Sequence, residues 1–148
     1  DGSMLLLDRE TDELVFVVVH GKVSGALLGY RIPADTGIAG WCMKNREACI
    51  VNDVHVDPRF SPIVDQAFTF RTASLVAAPL IGDGCVLGVI EALNKQAGDM
   101  FDEMDQVLIK LLGCFAGEVL ARIDTMPLPE TQTPSSGEGF SSTPSEES

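Results

Sequence analysis

Residues 86–105 read VLGVIEALNKQAGDMFDEMD, and this stretch decides the fold. The run up to Leu93 is nearly continuous in apolar residues, which predicts a strand covered on both faces. Asn94 and Lys95 end that strand, a short glycine-containing break follows, and Asp105 lies in the first turn of the next predicted helix. We expect Lys95 and Asp105 to pair, because an ion pair between strand end and helix start locks the helix onto the sheet.

Two hairpins are predicted in the chain up to Leu93. Residues 4–7 and 14–19 are apolar or β-branched and are separated by a polar turn. Residues 73–80 and 86–93 flank the turn sequence Ile81-Gly82-Asp83-Gly84. Paired strands around short turns predict antiparallel pairing in both places.

Helix signals lie between and after the hairpins. Asp35 or Thr36 is the predicted N-cap of a helix ending near Asn45, and a brief helix is predicted at residues 61–65. Residues 48–51 form a short predicted strand. Residues 102–123 carry apolar residues at a 3, 4 spacing, which predicts a long helix packed on the sheet and partly on a partner. Together these elements predict an α+β fold.

Composition limits the partners. The 148 residues carry a net charge of −12, and such a surface repels nucleic acid and anionic membranes. No apolar run reaches the roughly 18 residues of a membrane span. Residues 1–124 have the composition of one domain. Residues 125–148 are rich in Pro, Ser, Thr and Glu, which predicts a disordered linker or tail.

The cysteines argue against a metal site. Cys42, Cys49, Cys85 and Cys114 are widely spaced, without a C-x-x-C pair, and the chain has two histidines. Cys49 and Cys85 lie in apolar runs. We therefore expect buried free thiols in a reducing, cytoplasmic environment.

Two places carry polar residues that a plain core does not explain. Glu91 interrupts an apolar strand, on the same face as Val89 and Leu93 by alternation. It is either an edge-exposed glutamate or a pocket carboxylate that accepts N–H donors from a ligand. Residues 68–72 place two aromatic residues before a predicted buried strand. In one interpretation the aromatic side chains cover the sheet. In the other, Thr72 and Asp65 line a ligand cavity.

Four motifs, found in order along the chain, resemble those of GAF domains. They are GIAGW at 37–41, IVNDVHVDPRF at 50–60, FRTASL at 70–75 and GVIEALNK at 88–95. The resemblance covers Ser3 to about Arg122. It implies a PAS-like antiparallel sheet of about six strands with flanking helices, and we expect the first helix of the family to be missing here.

The pattern is most similar to the GAF domains of cyclic-nucleotide phosphodiesterases and adenylyl cyclases. Their signature is matched by Asn94, Lys95, Phe101 and Asp105, while Gln106 replaces a final glutamate. In the family the lysine and the aspartate form a structural salt bridge. The resemblance therefore implies that these four residues are a structural clasp and not a ligand site.

The resemblance also implies ligand-binding positions. An aromatic–acid pair that holds the purine in the family is Val19-His20 here, so a stacking ring is lost unless Phe68 supplies one; a lost stack costs on the order of 1–3 kcal/mol. The predicted ligand-binding residues are Ser3, Ile38, Ala39, Asp65, Phe68, Thr72 and Glu91.

The resulting hypothesis is a non-catalytic sensor domain that binds a small ligand, cGMP or cAMP, and signals to a catalytic domain. That domain would be a phosphodiesterase, a cyclase or a histidine kinase. No catalytic residue, metal site or certain cofactor is predicted. The alternative is a ligand-free module that forms a homodimer through its helices. A sulfoxide reductase of the same fold is disfavoured because the cysteines are scattered.

Overall fold

The computed structural model describes residues 1–21 and 24–124, so the predicted tail at 125–148 lies outside the described residues. The chain forms one sheet with helices on both faces. Its strands are β1 (Gly2–Asp8), β2 (Glu13–His20), β3 (Arg31–Pro33), β4 (Cys49–Val51), β5 (Leu75–Gly82) and β6 (Cys85–Leu93). Its helices are α1 (Ser24–Leu27), α2 (Gly37–Asn45), α3 (Ile63–Phe68) and α4 (Glu103–Asp124), with single 3₁₀ turns at Val54–Val56 and Gln96–Gly98.

The sheet is antiparallel throughout, in the strand order β3-β2-β1-β6-β5-β4. Both predicted hairpins are present, as β1–β2 and β5–β6. The second turns at Asp83 and Gly84, which both have positive φ, as a tight two-residue hairpin turn requires. Strand β1 pairs with β6, so the two hairpins join into one sheet. The predicted α+β architecture of about six strands is confirmed.

Alternation along β5 divides the core into two layers. Leu75 and Ala77 belong to the larger cluster, under α1, α2 and α3, whereas Val76 and Ala78 belong to a smaller cluster with Phe101 and Ile109 of the α4 side. Every residue of β5 except Ile81 is buried. The strand is therefore covered on both faces, as its continuous apolar sequence predicts.

The sheet-facing side of α4 differs from the prediction. Its small residues Gly113, Gly117 and Ala121 are buried against the sheet together with Ile109. A Cβ at Gly113 would lie 2.6 Å from the carbonyl oxygen of Pro79, so glycine permits this close approach. The predicted apolar stripe instead faces outward, with Met104, Val107, Leu108, Leu111, Leu112, Phe115, Val119 and Ile123 all exposed.

The predicted clasp joins β6 to α4. The Lys95 ammonium donates to Oδ2 of Asp105 at 2.6 Å and to the carbonyl oxygen of Met100 at 3.2 Å. This hydrogen bond from Lys95 holds the pKa of Asp105 below its ordinary value. A carboxylate with a lowered pKa stabilises the fold above its unfolded-state pKa, and that contribution is lost as the pH falls through the folded-state pKa.

Two asparagine side chains fix the backbone on either side of this ion pair. Asn94 has a φ of 53°; its Oδ1 accepts from the N–H groups of Ala73 and Ser74, and its Nδ2 donates to the carbonyl oxygen of Arg71. Asn52 exchanges two hydrogen bonds with the backbone of Phe101, at 2.8 and 3.1 Å. Asparagine suits the left-handed backbone of position 94, because its short polar side chain bonds locally.

Some short elements differ from the prediction. Strand β3 and helix α1 were not predicted, and α3 extends to Phe68, beyond the predicted end at Asp65. Thr36 is the N-cap of α2 but makes no capping hydrogen bond through its side chain. Across residues 1–21 and 24–124, no helix combines the length and apolar character needed to cross a membrane.

We predict that Asn94→Ala lowers the free energy of unfolding by roughly 1–3 kcal/mol, because it leaves backbone groups of three residues without their partner. Asn94→Gly accepts the positive φ but lacks the side-chain hydrogen bonds. It therefore separates the loss of these bonds from the backbone strain that alanine would add. Urea denaturation followed by circular dichroism measures both.

The control is Asn45→Ala, which removes one exposed hydrogen bond to the carbonyl oxygen of Trp41. If Asn94→Ala lowers the free energy of unfolding no more than Asn45→Ala does, Asn94 does not hold the chain before β5 as described.

Candidate functional site

A cavity lies between the sheet and the segments that carry α2 and α3. Its volume is about 90 Å³, which is room for roughly three water molecules at liquid density. Strands β1, β2 and β6 supply one side of the wall, and the first turn of α2 and the region around α3 supply the other. The lining includes Ser3, Phe16, Val19, His20, Ile38, Ala39, Phe60, Ser61, Val64, Asp65, Phe70, Thr72 and Glu91.

The carboxyl group of Glu91 is the polar centre of the sheet side. Alternation on β6 places it on the cavity face, and the Ser3 hydroxyl of the neighbouring strand β1 donates to its Oε1 at 2.9 Å. Protein surrounds the carboxyl group, and the surface that Glu91 keeps accessible is in the cavity lining. Glu91 therefore lies in the cavity wall and is not an edge-exposed glutamate, whereas its contact with a ligand stays a prediction.

Burial raises the pKa of Glu91 above its ordinary value. The Ser3 hydrogen bond acts in the opposite direction, and the charge of Asp65 adds to the increase. Removal from water disfavours the ionised form of a carboxyl group, and a second acid nearby does the same. Glu91 is therefore a group whose charge a ligand can change by supplying N–H donors or a cation.

The second acid is bonded to the segment that follows α3. Asp65 accepts from the backbone N–H of Thr72 at 2.7 Å and from the Thr72 hydroxyl at 2.8 Å. The chain turns back between them at Thr69, which ends α3 with a φ of 52°. Both carboxylate oxygens of Asp65 are thus used to hold this segment beside the cavity.

The N-terminal end of α2 also meets the cavity. Gly37, with a φ of 63°, Ile38 and Ala39 form the first turn and line the wall. Backbone N–H groups at a helix N-terminus favour a negatively charged group. The cavity wall therefore combines a carboxyl group on the sheet side with a helix N-terminus on the opposite side.

Six of the seven predicted ligand-binding residues lie together in this wall: Ser3, Ile38, Ala39, Asp65, Thr72 and Glu91. Phe68 does not belong to the lining. Its ring packs edge-on against Tyr30, with 4.9 Å between ring centroids. The aromatic residues of the wall are Phe16, Phe60 and Phe70, which the sequence reasoning did not assign to a site.

The cysteines differ from the prediction in two respects. Cys42 of α2 and Cys49 of β4 are both buried, and their sulfur atoms lie 3.8 Å apart, so these two are close and not scattered. Cys85 and Cys114 are exposed, so the expectation that Cys85 is buried is wrong. None of the four lines the cavity. In the described part of the chain, no group of three or more metal-ligating side chains converges.

The family profile of the GAF domain matches residues 1–120. The chain belongs to the GAF domain family. The predicted resemblance to this family, based on motifs between residues 37 and 95, is confirmed.

Relatives of this GAF domain include two phosphodiesterases. The chain is 32% identical over 89 residues to the dual 3',5'-cyclic-AMP and -GMP phosphodiesterase 11A of Takifugu rubripes, covering 59% of this chain and 10% of that protein. It is 34% identical over 74 residues to the cone cGMP-specific 3',5'-cyclic phosphodiesterase subunit alpha' of Mus musculus, covering 50% of this chain and 9% of that protein. The chain thus spans about a tenth of the length of these relatives.

A solved structure supports the fold. The GAF domain of a phosphoenolpyruvate-protein phosphotransferase from Coxiella burnetii superposes with a TM-score of 0.73 at 17% identity, covering 83% of this chain and 72% of that one. At this identity the likeness concerns the fold alone.

We predict that Glu91→Gln makes the domain more stable at neutral pH, because glutamine keeps an acceptor for Ser3 without the cost of a buried charge. The folded-state pKa of Glu91 lies above its unfolded-state value, so wild type loses stability relative to the variant as the pH rises through that interval. Urea denaturation of both proteins at about pH 4 and about pH 8 measures the difference. An advantage of the variant that is the same at both pH values would contradict the buried carboxyl group.

Proposed function

We propose that this GAF domain is a non-catalytic regulatory domain that binds a small ligand in the cavity and signals to an attached catalytic domain. The observation that carries the proposal is the cavity itself, which six separately predicted residues line. A cavity with a few convergent polar groups and a carboxyl group of perturbed pKa is a common arrangement in ligand sites.

The chemistry of the wall favours a cyclic nucleotide, cGMP or cAMP. Glu91 accepts N–H donors, as a purine edge supplies them, and its protonated form also donates to a base acceptor. The N-terminal turn of α2 suits an anionic phosphate. Phe60 and Phe70 provide aromatic surface for a base. The two phosphodiesterase relatives are named for action on cyclic nucleotides, which is consistent with this ligand class.

A nucleotide requires the cavity to enlarge. Pockets for molecules of this size usually have roughly 300–1,000 Å³, whereas the cavity has about 90 Å³. The part of the wall best suited to move is α3, because none of its residues is buried. We infer that the Asp65–Thr72 bonds fasten this segment over the cavity, and that a ligand shifts the balance between its open and closed positions.

The signal has a direct path to α4. Strand β6 carries Glu91 in the cavity and continues through Asn94 into Lys95, which holds Asp105 at the start of α4. If β6 can adopt two positions and a ligand binds one of them more tightly than the other, the ligand would shift α4 through Lys95. The coupling requires a difference in ligand affinity between the two positions.

We predict that cGMP or cAMP binds the 148-residue chain at sub-millimolar concentration, as measured by isothermal titration calorimetry. Glu91→Ala should weaken the affinity by roughly 10- to 100-fold, the effect of losing a hydrogen bond to a charged group. Glu47→Ala is the matched control, because Glu47 is exposed and outside the cavity lining. No heat from either nucleotide would exclude this ligand class.

A second function has its own observation. Eight large apolar side chains of α4 are exposed, along a helix of 22 residues that is about 33 Å long. Monomeric proteins rarely expose a contiguous apolar patch of more than a few hundred Å². We propose that this face binds the same face of a second copy, so that the domain forms a homodimer through α4.

We predict that Leu111→Glu and Phe115→Glu each weaken self-association by roughly 30-fold, because a buried apolar anchor becomes a charge. Sedimentation velocity over a concentration series measures it. Val56→Glu, which alters an equally exposed apolar residue on a 3₁₀ turn, is the control. A wild-type chain that stays monomeric at high concentration would exclude the homodimer.

A further inference from the structure

Two buried thiols face each other across the joint between α2 and β4. The Sγ atoms of Cys42 and Cys49 lie 3.8 Å apart, in S–H···S contact, and six residues separate the two positions in the sequence. A disulfide bond is about 2.05 Å long, so the two sulfur atoms would need to approach each other by about 1.8 Å in total.

The surroundings of the pair favour a reactive thiolate at Cys49. The two thiols share an S–H···S contact, and with Cys42 as its donor this contact, together with the charge of Arg59, holds the pKa of Cys49 below its ordinary value, against the effect of burial. The same contact and burial raise the pKa of Cys42. Arg59 is held in place by two bonds to Asp57, at 3.0 and 2.7 Å, and by the face of Trp41, 4.5 Å from its centroid.

The position of Cys49 gives a small oxidant a way in. Strand β4 is at the edge of the sheet and pairs with β5 alone. Cys49 is 7% exposed, whereas Cys42 is fully buried. A molecule the size of hydrogen peroxide therefore meets Cys49 first, and Cys42 is placed to resolve the product.

We propose that Cys42 and Cys49 are a peroxide-sensitive dithiol pair whose oxidation forms an intrachain disulfide between α2 and β4. This proposal does not depend on the identity of the cavity ligand. It adds a covalent link directly behind the first turn of α2, because Cys42 lies about one helical turn after Ile38 and Ala39 of the cavity wall.

The chemistry balances with one peroxide molecule. The Cys49 thiolate attacks one peroxide oxygen, the O–O bond breaks, and the departing hydroxide takes the proton that Cys49 released and becomes water. Cys49 is then a sulfenic acid. The Cys42 sulfur displaces its hydroxyl group, which leaves with the Cys42 proton as a second water. The two cysteines lose two electrons in total, and a dithiol reductant returns them.

The experiment uses the full chain with Cys85→Ser and Cys114→Ser, which removes the two exposed thiols. The protein is treated with hydrogen peroxide, remaining thiols are blocked with iodoacetamide, and a tryptic digest is analysed by mass spectrometry without reduction. Trypsin cuts after Lys44 and Arg46. The expected product is therefore peptide 32–44 joined to peptide 47–59, which dithiothreitol separates.

Two further variants show which thiol reacts first. In the same background, Cys42→Ser should stop Cys49 at the sulfenic acid, which dimedone traps. Cys49→Ser should slow peroxide consumption by Cys42 at least about tenfold, since Cys42 is fully buried and burial disfavours the thiolate that attacks peroxide. Recovery of both cysteines in blocked form after peroxide, or a cross-link only between separate chains, would overturn the proposal.

Discussion

The joint between β6 and α4 is the constraint on which the rest of the structure depends. Strand β6 is central in the sheet, paired with β1 on one side and β5 on the other. Directly after it, Asn94 ties back the chain that leads into β5, and Lys95 anchors Asp105 in the first turn of α4. One short segment thus fixes the chain before β5 beside the end of β6 and sets the direction of the terminal helix. The Glu91 side of the same strand faces the cavity, so the clasp and the candidate site share one element.

The close contact of α4 with the sheet has a consequence for the outer face of the helix. Glycines at positions 113 and 117 let the helix backbone approach strand β5 closely, so large side chains are not needed on that side. The large apolar side chains are placed outward instead, where they cover nothing within the described residues. The close packing of α4 on the sheet therefore also leaves the exposed apolar face that we propose binds a second copy of the domain.

The sequence predicted the parts of this fold that depend on local chemistry. The hairpins follow from β-branched runs around turn residues such as Asp83 and Gly84, and the clasp follows from Lys95 and Asp105 at adjoining element ends. Glu91, Thr72 and Asp65 were singled out as polar residues next to apolar strands, whereas Ser3, Ile38 and Ala39 came from the motif resemblance alone, because cavity residues are far apart in sequence. Helical periodicity predicted the apolar stripe of α4 and its partial contact with a partner, but not that small residues face the sheet while the large apolar side chains face outward. The proximity of Cys42 and Cys49 depends on how α2 meets β4, which spacing alone does not reveal.

We propose above that a ligand acts in the cavity between β6 and α2 and moves the segment at α3. Amide NMR spectra of the 148-residue chain, recorded during titration with cGMP and with cAMP, test this claim residue by residue. We expect the largest shifts at Ile38, Ala39, Thr72 and Glu91 and along α3, with smaller shifts at Asn94 and Lys95. Spectra that do not change, or shifts confined to the outer face of α4, would contradict it.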